Sequence, residues 1–262
     1  MTNTSMRLGP NAGSRVLIAG GCGGIGRELT RTCLALDLEV TVLDIAPAIE
    51  ATTREDKVRY ISFDGRDAAS IRTAMAECAR DWDSIDALFF LSGFPNSPQS
   101  PLAEVPLVTW EELIAVNLTS AYLLVNAAIP LLKKAAAPTV VTVVSSLAYQ
   151  PKPGMAPYAV SKGGLVTLTK AFAAELAPHV RVNAVAPGAV ETDFLSGGTG
   201  RTKNPEDRSS FEAGKERYVS LIPLGRVAVP ADVVGPMLFL AGPASAYMTG
   251  QVLHLNGGRL TP

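Results

Sequence analysis

The sequence predicts a single α/β domain, a seven-stranded, mostly parallel sheet wound on both faces by helices. Three observations carry that expectation: short apolar runs rich in Val, Ile and Leu, longer stretches of helical period between them, and a glycine-rich turn where the first run ends. A strand covered on both faces has no solvent side to keep polar, so near-continuous apolar runs point to a parallel sheet between helical layers.

Taken in order, residues 1–14 (MTNTSMRLGPNAGS) lack an apolar stretch and read as a flexible arm, with 15–262 as the domain. RVLIAG (15–20) is the first strand and 24–37 the first helix. LEVTVLD (38–44) and VRYISFD (58–64) are strands, 67–81 a helix, and IDALFFLSG (85–93) a strand. A long helical pattern covers 108–135, followed by the β-branched strand TVVTVVS (139–145). Residues 157–177 read as helix, VRVNAVA (180–186) as strand, 230–241 as helix and QVLHLN (251–256) as the last strand. The polar, Gly- and Ser-rich segment 191–220 breaks this rhythm and reads as a loop serving as a substrate lid.

Charge and cysteine content exclude several classes. With 23 basic and 24 acidic residues the net charge is −1, which leaves no electrostatic footprint for nucleic acid or an anionic membrane. No apolar run reaches the ~18 residues a membrane helix needs. Cys22, Cys33 and Cys78 lack paired spacing and read as free thiols, so a cytoplasmic location is expected. His179 and His254 lie far apart, so neither a metal centre nor a histidine-based triad is expected, and both read as structural. Trp82 and Trp110 read as packing residues at helix ends.

The first strand runs into Gly20-Gly21-Cys22-Gly23-Gly24-Ile25-Gly26 and then a helix. Glycines there permit a tight turn and close approach of a pyrophosphate, which the helix N-terminus stabilises through exposed N–H groups and its dipole. No Gly-Lys-Ser/Thr ending follows, which disfavours a nucleotide triphosphatase. Asp44 ends the second strand, where a dinucleotide-binding βαβ unit places a carboxylate against the adenosine ribose. A 2′-phosphate ~4 Å from that carboxylate would be repelled by about 4 kcal/mol at an effective dielectric of 20. Ile45 follows Asp44 and the turn holds no Lys or Arg, so NAD is favoured over NADP.

Strand 139–145 ends in Ser145-Ser146, and Tyr158 and Lys162 follow at helical i, i+4 spacing. A phenol titrating near ~10 is a poor base at neutral pH, and a neighbouring ammonium favours its ionised form. A serine hydroxyl at the strand end can orient a substrate oxygen. Ser146 is the expected one, with Ser145 as the alternative.

In these motifs the chain resembles the short-chain dehydrogenase/reductases of about 250 residues, over residues 14–258, which implies a Rossmann-type fold. The glycine turn (with Cys22 expected against the cofactor) and Asp44-Ile45 resemble the family's cofactor site. By the same resemblance, Asp64-Gly65 is the pair that holds adenine, Ser92-Gly93 lies beside the cofactor, and Pro187, Gly188, Val190 and Thr192 meet its nicotinamide end. Asn117, Ser146, Tyr158 and Lys162 match the catalytic tetrad. Phe90-Leu91-Ser92-Gly93 departs from the family's Asn-Asn-Ala-Gly, Ala19 stands where Thr is common, and Asn256 replaces a common Asp. An enoyl reductase of related fold would space its Tyr and Lys more widely.

The resulting expectation is an NAD-dependent oxidoreductase acting on a secondary alcohol or its ketone. Phe94, Tyr149, Met155 and Phe194 are expected to line an apolar pocket for a cyclic or aromatic substrate. The basic lid residues Arg201, Lys203 and Arg208 read as a solvated face, or as an attractor for an anionic substrate. The family implies a homotetramer or homodimer, and the apolar segment 165–176 suits such an interface. An NADPH-dependent ketoreductase such as a 3-oxoacyl reductase, and a silent dinucleotide sensor on the same fold, are the rivals; the Tyr158–Lys162 pair argues against the sensor.

Overall fold

The computed structural model describes residues 8–201 and 205–261. The strands are β1 (Arg15–Ala19), β2 (Glu39–Asp44), β3 (Val58–Ser62), β4 (Ala87–Phe90), β5 (Thr139–Val143), β6 (Arg181–Pro187) and β7 (Val252–Leu255). All pairings are parallel, in the order β3-β2-β1-β4-β5-β6-β7. The chain leaves β1 toward β2 and β3, then crosses back to β4 on the other side of β1. The carboxyl ends of β1 and β4 therefore diverge into a crevice, the usual ligand site of such sheets.

Alternate residues of one strand enter opposite cores. Leu17, Leu88, Phe90 and Val140 face α3 (Ala68–Asp81), α5 (Ser120–Leu132) and α6 (Ala156–Leu176). Val16, Ile18, Phe89 and Val141 face α1 (Gly24–Ala35) and α8 (Pro230–Ala241). Trp82 caps the C-terminal end of α3 and is buried.

Several expectations need correction. The strand expected over 85–93 is regular only over Ala87–Phe90, and residues 91–93 leave the sheet to rim the crevice. A short helix, α2 (Ala46–Glu50), escaped the periodicity because it is barely one turn. The helical region expected over 108–135 is α4 (Leu107–Ile114) and α5 joined by a π-turn at Ala115–Thr119. Helix Leu107–Leu132 is also, by length and composition, apolar enough to cross a membrane, contrary to the reading of the sequence. In the fold it is a core helix, with Leu124, Ala128 and Leu132 packed under the sheet.

The lid is only partly a loop. Pro205–Val219 forms α7, which is mostly polar and has no buried residue. Pro205, Glu206 and Asp207 at its start suit a helix N-terminus, and Arg208–Glu212 pair at i, i+4. The expected arm is also shorter. Gly9 packs on Leu238 and Gly13 donates to the Asp37 carbonyl at 2.7 Å, while residues 1–7 lie outside the described part.

Arg181 opens β6 and fans its guanidinium over carbonyl oxygens of Leu240, Gly242, Ser245 and Met248 at 2.9–3.1 Å. Asn183 adds bonds to the Met248 carbonyl and from the Gln251 N–H. Asn256 accepts from the Gly258 and Leu260 N–H groups and so shapes the turn after β7.

Candidate active site

The crevice begins at the glycine turn. Gly20 has φ 85°, and a Cβ there would meet the Ser92 nitrogen at 2.6 Å. A Cβ on Gly26 would overlap the Gly20 carbonyl oxygen, so only glycine lets α1 seat against the turn. Gly23 caps α1 without any side-chain hydrogen bond, and no acidic residue lies in the helix's first turn. The N-terminus of α1 at Gly24, Ile25 and Gly26 is thus left to a ligand, which fits the diphosphate of a dinucleotide.

At the end of β2, Asp44 accepts from the Cys22 N–H at 2.9 Å and the Ile45 N–H at 2.8 Å. Burial raises its pKa, and the two N–H bonds oppose that rise. The expectation that Cys22 faces a cofactor is corrected: its side chain is fully buried, burial pushes the thiol up to about 12, and its N–H serves Asp44. Asp64, expected at adenine, is held on both carboxylate oxygens by Arg66, at 3.0 and 2.7 Å. A Cβ on neighbouring Gly65 would meet the Ser120 side chain at 3.0 Å, which brings α5 close beneath the rim.

The second half of the site gathers around Asn117. Its Oδ1 accepts from the Phe94 N–H at 3.0 Å, and its Nδ2 donates to the Phe94 carbonyl at 3.0 Å and to Ser161 Oγ at 3.1 Å. The π-turn lies where this fully buried side chain reaches the strand-four loop. Gly93, at φ 155°, leaves room beside it: a Cβ there would lie 2.9 Å from Asn117 Oδ1 and 3.4 Å from Lys162 Nζ. The Ser92 hydroxyl is buried without a hydrogen-bond partner.

Tyr158 and Lys162 share the inner face of α6, 6% and 3% exposed. Lys162 Nζ donates to the Val143 carbonyl at 2.8 Å and lies 5.8 Å from the centre of the Tyr158 ring. The hydroxyl beside the phenol belongs to Ser145, not to Ser146 as expected. Ser145 caps the short 3-10 turn Ser146–Ala148 by accepting from the Leu147 N–H at 3.1 Å, while Ser146 is the first residue inside that turn. The electrostatics also differ from the simple expectation. Burial raises the phenol to about 12 in spite of Ser145, and lowers Lys162 to about 7. In the free protein desolvation outweighs the attraction between the pair.

Pro187 ends β6, the Gly188 N–H donates to the Leu255 carbonyl at 3.0 Å, and Val190 is buried. Thr192 rests its methyl on Gly24, and its hydroxyl accepts from the Phe194 N–H at 3.3 Å. Of the four expected pocket residues, Phe194 reaches Tyr158, with ring centres 5.7 Å apart. Tyr149 meets His254 edge-on at 4.5 Å, and Met155 is buried at the start of α6. Phe94 does not face an open pocket; it packs on Leu113 and Val116 and carries Arg201 on its ring at 3.5 Å. Arg201 also binds Glu112 at 2.6 Å, so it is not a solvated lid charge; Lys203 lies outside the described residues. His254 is less settled than expected, since its Nδ1 is buried and unpartnered, while His179 is exposed. Glu112 and Ser161 carried no signal in sequence, because each meets partners distant along the chain, Arg201 and Asn117. Ser145 did carry one, its place at the strand end.

The chain is similar to several known proteins. The family profile described as enoyl-(acyl carrier protein) reductase matches residues 20–259. The 3-oxoacyl-(acyl-carrier-protein) reductase of Thermotoga maritima is 32% identical over 254 residues, covering 94% of this chain and 97% of its own. The cis-4-hydroxycyclohexanecarboxylate dehydrogenase of Sinomonas cyclohexanicum is 27% identical, covering 92% and 94%. Among solved structures, an actinorhodin polyketide ketoreductase variant with NADPH superposes with a TM-score of 0.85 at 26% identity, over 94% of this chain and 97% of that one. A glucose/ribitol dehydrogenase from Brucella melitensis gives a TM-score of 0.85 at 25% identity, over 97% and 99%. The seven-stranded parallel sheet accords with what these comparisons show: the chain belongs to the short-chain dehydrogenase/reductases, a family of oxidoreductases that bind a nicotinamide dinucleotide.

Proposed function

We propose that the protein is an NAD-dependent oxidoreductase that interconverts a secondary alcohol and its ketone. The observation that carries this reading is the buried Tyr158, with the Ser145 hydroxyl beside it and Lys162 beneath it, at the open end of β5. Ser145 donates to the substrate oxygen and fixes it against the phenol. Tyr158 takes the hydroxyl proton in the oxidative direction and returns it in the reductive one. Lys162, whose Nζ is held by the Val143 carbonyl 5.8 Å from the ring centre, favours the phenolate when it is charged. A bound oxidised nicotinamide supplies the hydride acceptor and a positive charge that favours the phenolate. Asn117 positions Gly93 and α6 around this cluster rather than touching substrate.

The NAD preference is supported by Asp44, which two backbone N–H groups hold at the end of β2. Phe194, Tyr149 and Met155 favour a substantially apolar, cyclic substrate, a class represented among the relatives by a hydroxycyclohexanecarboxylate dehydrogenase. The second reading, an NADPH-dependent 3-oxoacyl reductase, is favoured by the name of the 32%-identical relative. Turnover measured with NAD and NADP against cyclic secondary alcohols, and with NADPH against a 3-oxoacyl thioester, separates them. Loss of turnover in Tyr158→Phe is required by either; a variant that kept its rate would overturn the catalytic reading. Self-association is proposed through α5 and α6, whose outer faces expose Tyr122 and Val160. Segment 165–176 contributes less than its sequence suggests, because Leu165, Val166, Phe172 and Leu176 are buried in the protein's own core.

A further inference from the structure

Residues 192–201 cross the crevice at three points that a dinucleotide would need. The Thr192 side chain lies against Gly24 at the N-terminus of α1, so closely that a Cβ on that glycine would overlap it. Gly200 lies against Ala48 of α2, just past Asp44 and Ile45, where a Cβ would meet the Ala48 Cα at 2.6 Å. Arg201 then stacks on Phe94 at 3.5 Å and binds Glu112 at 2.6 Å. Glu112 is shared with Arg66 at 3.7 Å, and Arg66 holds Asp64 at 2.7 Å. At each of these points the segment touches the crevice wall directly.

The segment is also built to bend. Gly197, Gly198 and Gly200 have φ of 111°, 105° and 70°, conformations that side chains rarely allow. Its seat is incomplete, since the Thr199 hydroxyl is buried without a partner. A buried hydroxyl left unpaired favours departure from that seat.

We propose that residues 192–201 form a strap that fills the dinucleotide crevice in the free protein, latched by Arg201 between Phe94 and Glu112, so that the cofactor must displace it to bind. This rests on the dinucleotide reading of the crevice. The apparent affinity is then the intrinsic affinity reduced by the fraction of molecules with the strap out. Asp64, expected at adenine, is the far end of the same charge chain, so an arriving adenosine meets the latch at its first contact.

The test compares the full-length protein with Arg201→Ala and Glu112→Gln. Amide hydrogen exchange over 192–201 is measured without ligand, and NADH binding is followed by stopped-flow fluorescence. Both variants should exchange faster in the strap, bind NADH about tenfold faster and tighter, and release it at an unchanged rate. Unchanged exchange in the strap overturns the latch. Faster exchange with NADH association within twofold of the parent overturns the gate while leaving the dinucleotide reading intact. Failure of all three proteins to bind NADH or NADPH overturns both readings.

Discussion

Ser145 and Tyr158 meet across the end of β5 and the start of α6, and Ser145 partly offsets the burial that still leaves the phenol pushed up to about 12. The hydroxyl that reaches Tyr158 is thus set by the 3-10 turn after β5. That turn uses Ser145 as its cap and draws Ser146 into its first position.

Ser145→Ala should therefore lower kcat by about 10²–10³, the loss typical of one donor to a reacting oxygen. Ser146→Ala should stay within a few fold. Steady-state rates on any accepted alcohol check this, and the reverse order of effects would return the role to Ser146.

Lys162 should give the stability a pH dependence of definite sign. Unfolded, a lysine keeps its proton to about 10.5, whereas the folded protein releases it near about 7. Between those values the unfolded chain binds more protons, so this group makes stability rise with pH. Tyr158 acts in the opposite sense above pH 10, where the unfolded phenol ionises before the folded one. Melting temperatures from pH 6.5 to 9 should rise more steeply in the parent than in Lys162→Met.

Asp44→Ser should narrow the preference for NAD over NADP by about 10–10³-fold, since it removes the repulsion of a 2′-phosphate, worth ~2–4 kcal/mol near a protein surface. The ratio of kcat/KM for the two cofactors is the measurement. An unchanged ratio would show that Asp44 does not face the ribose.

Gly26→Ala should destabilise the protein by about 1–3 kcal/mol, because the added methyl overlaps the Gly20 carbonyl, a rigid backbone atom. Gly214→Ala, whose Cβ would meet nothing within 4 Å on polar α7, should be neutral or slightly stabilising. Chemical denaturation of the two variants provides the comparison.

The sheet was legible because each strand is a compact apolar run, and the glycine turn because its spacing has few other uses. The i, i+4 spacing of Tyr158 and Lys162 gave their shared face, but not the balance of their electrostatics, which burial from several elements decides. Helix α7 was illegible to periodicity, having no apolar face, and its signal lay in Pro205 and the two acids after it. The π-turn at Asn117 had no local signature either, since it answers to Phe94 and Ser161 far along the chain. Arg201 looked like a surface charge for the same reason: Phe94 and Glu112 are close only in the fold.

The guanidinium of Arg181 is satisfied by main-chain oxygens from Leu240 to Met248, which are synthesised some sixty residues later. Until they emerge, the cation at the start of β6 has only water to bind. The anchoring of β6 through this side chain then waits for residues 240–248. A nascent chain stalled short of Val252 would leave the outer edge of β6, which β7 covers in the finished sheet, open to other unpaired strands.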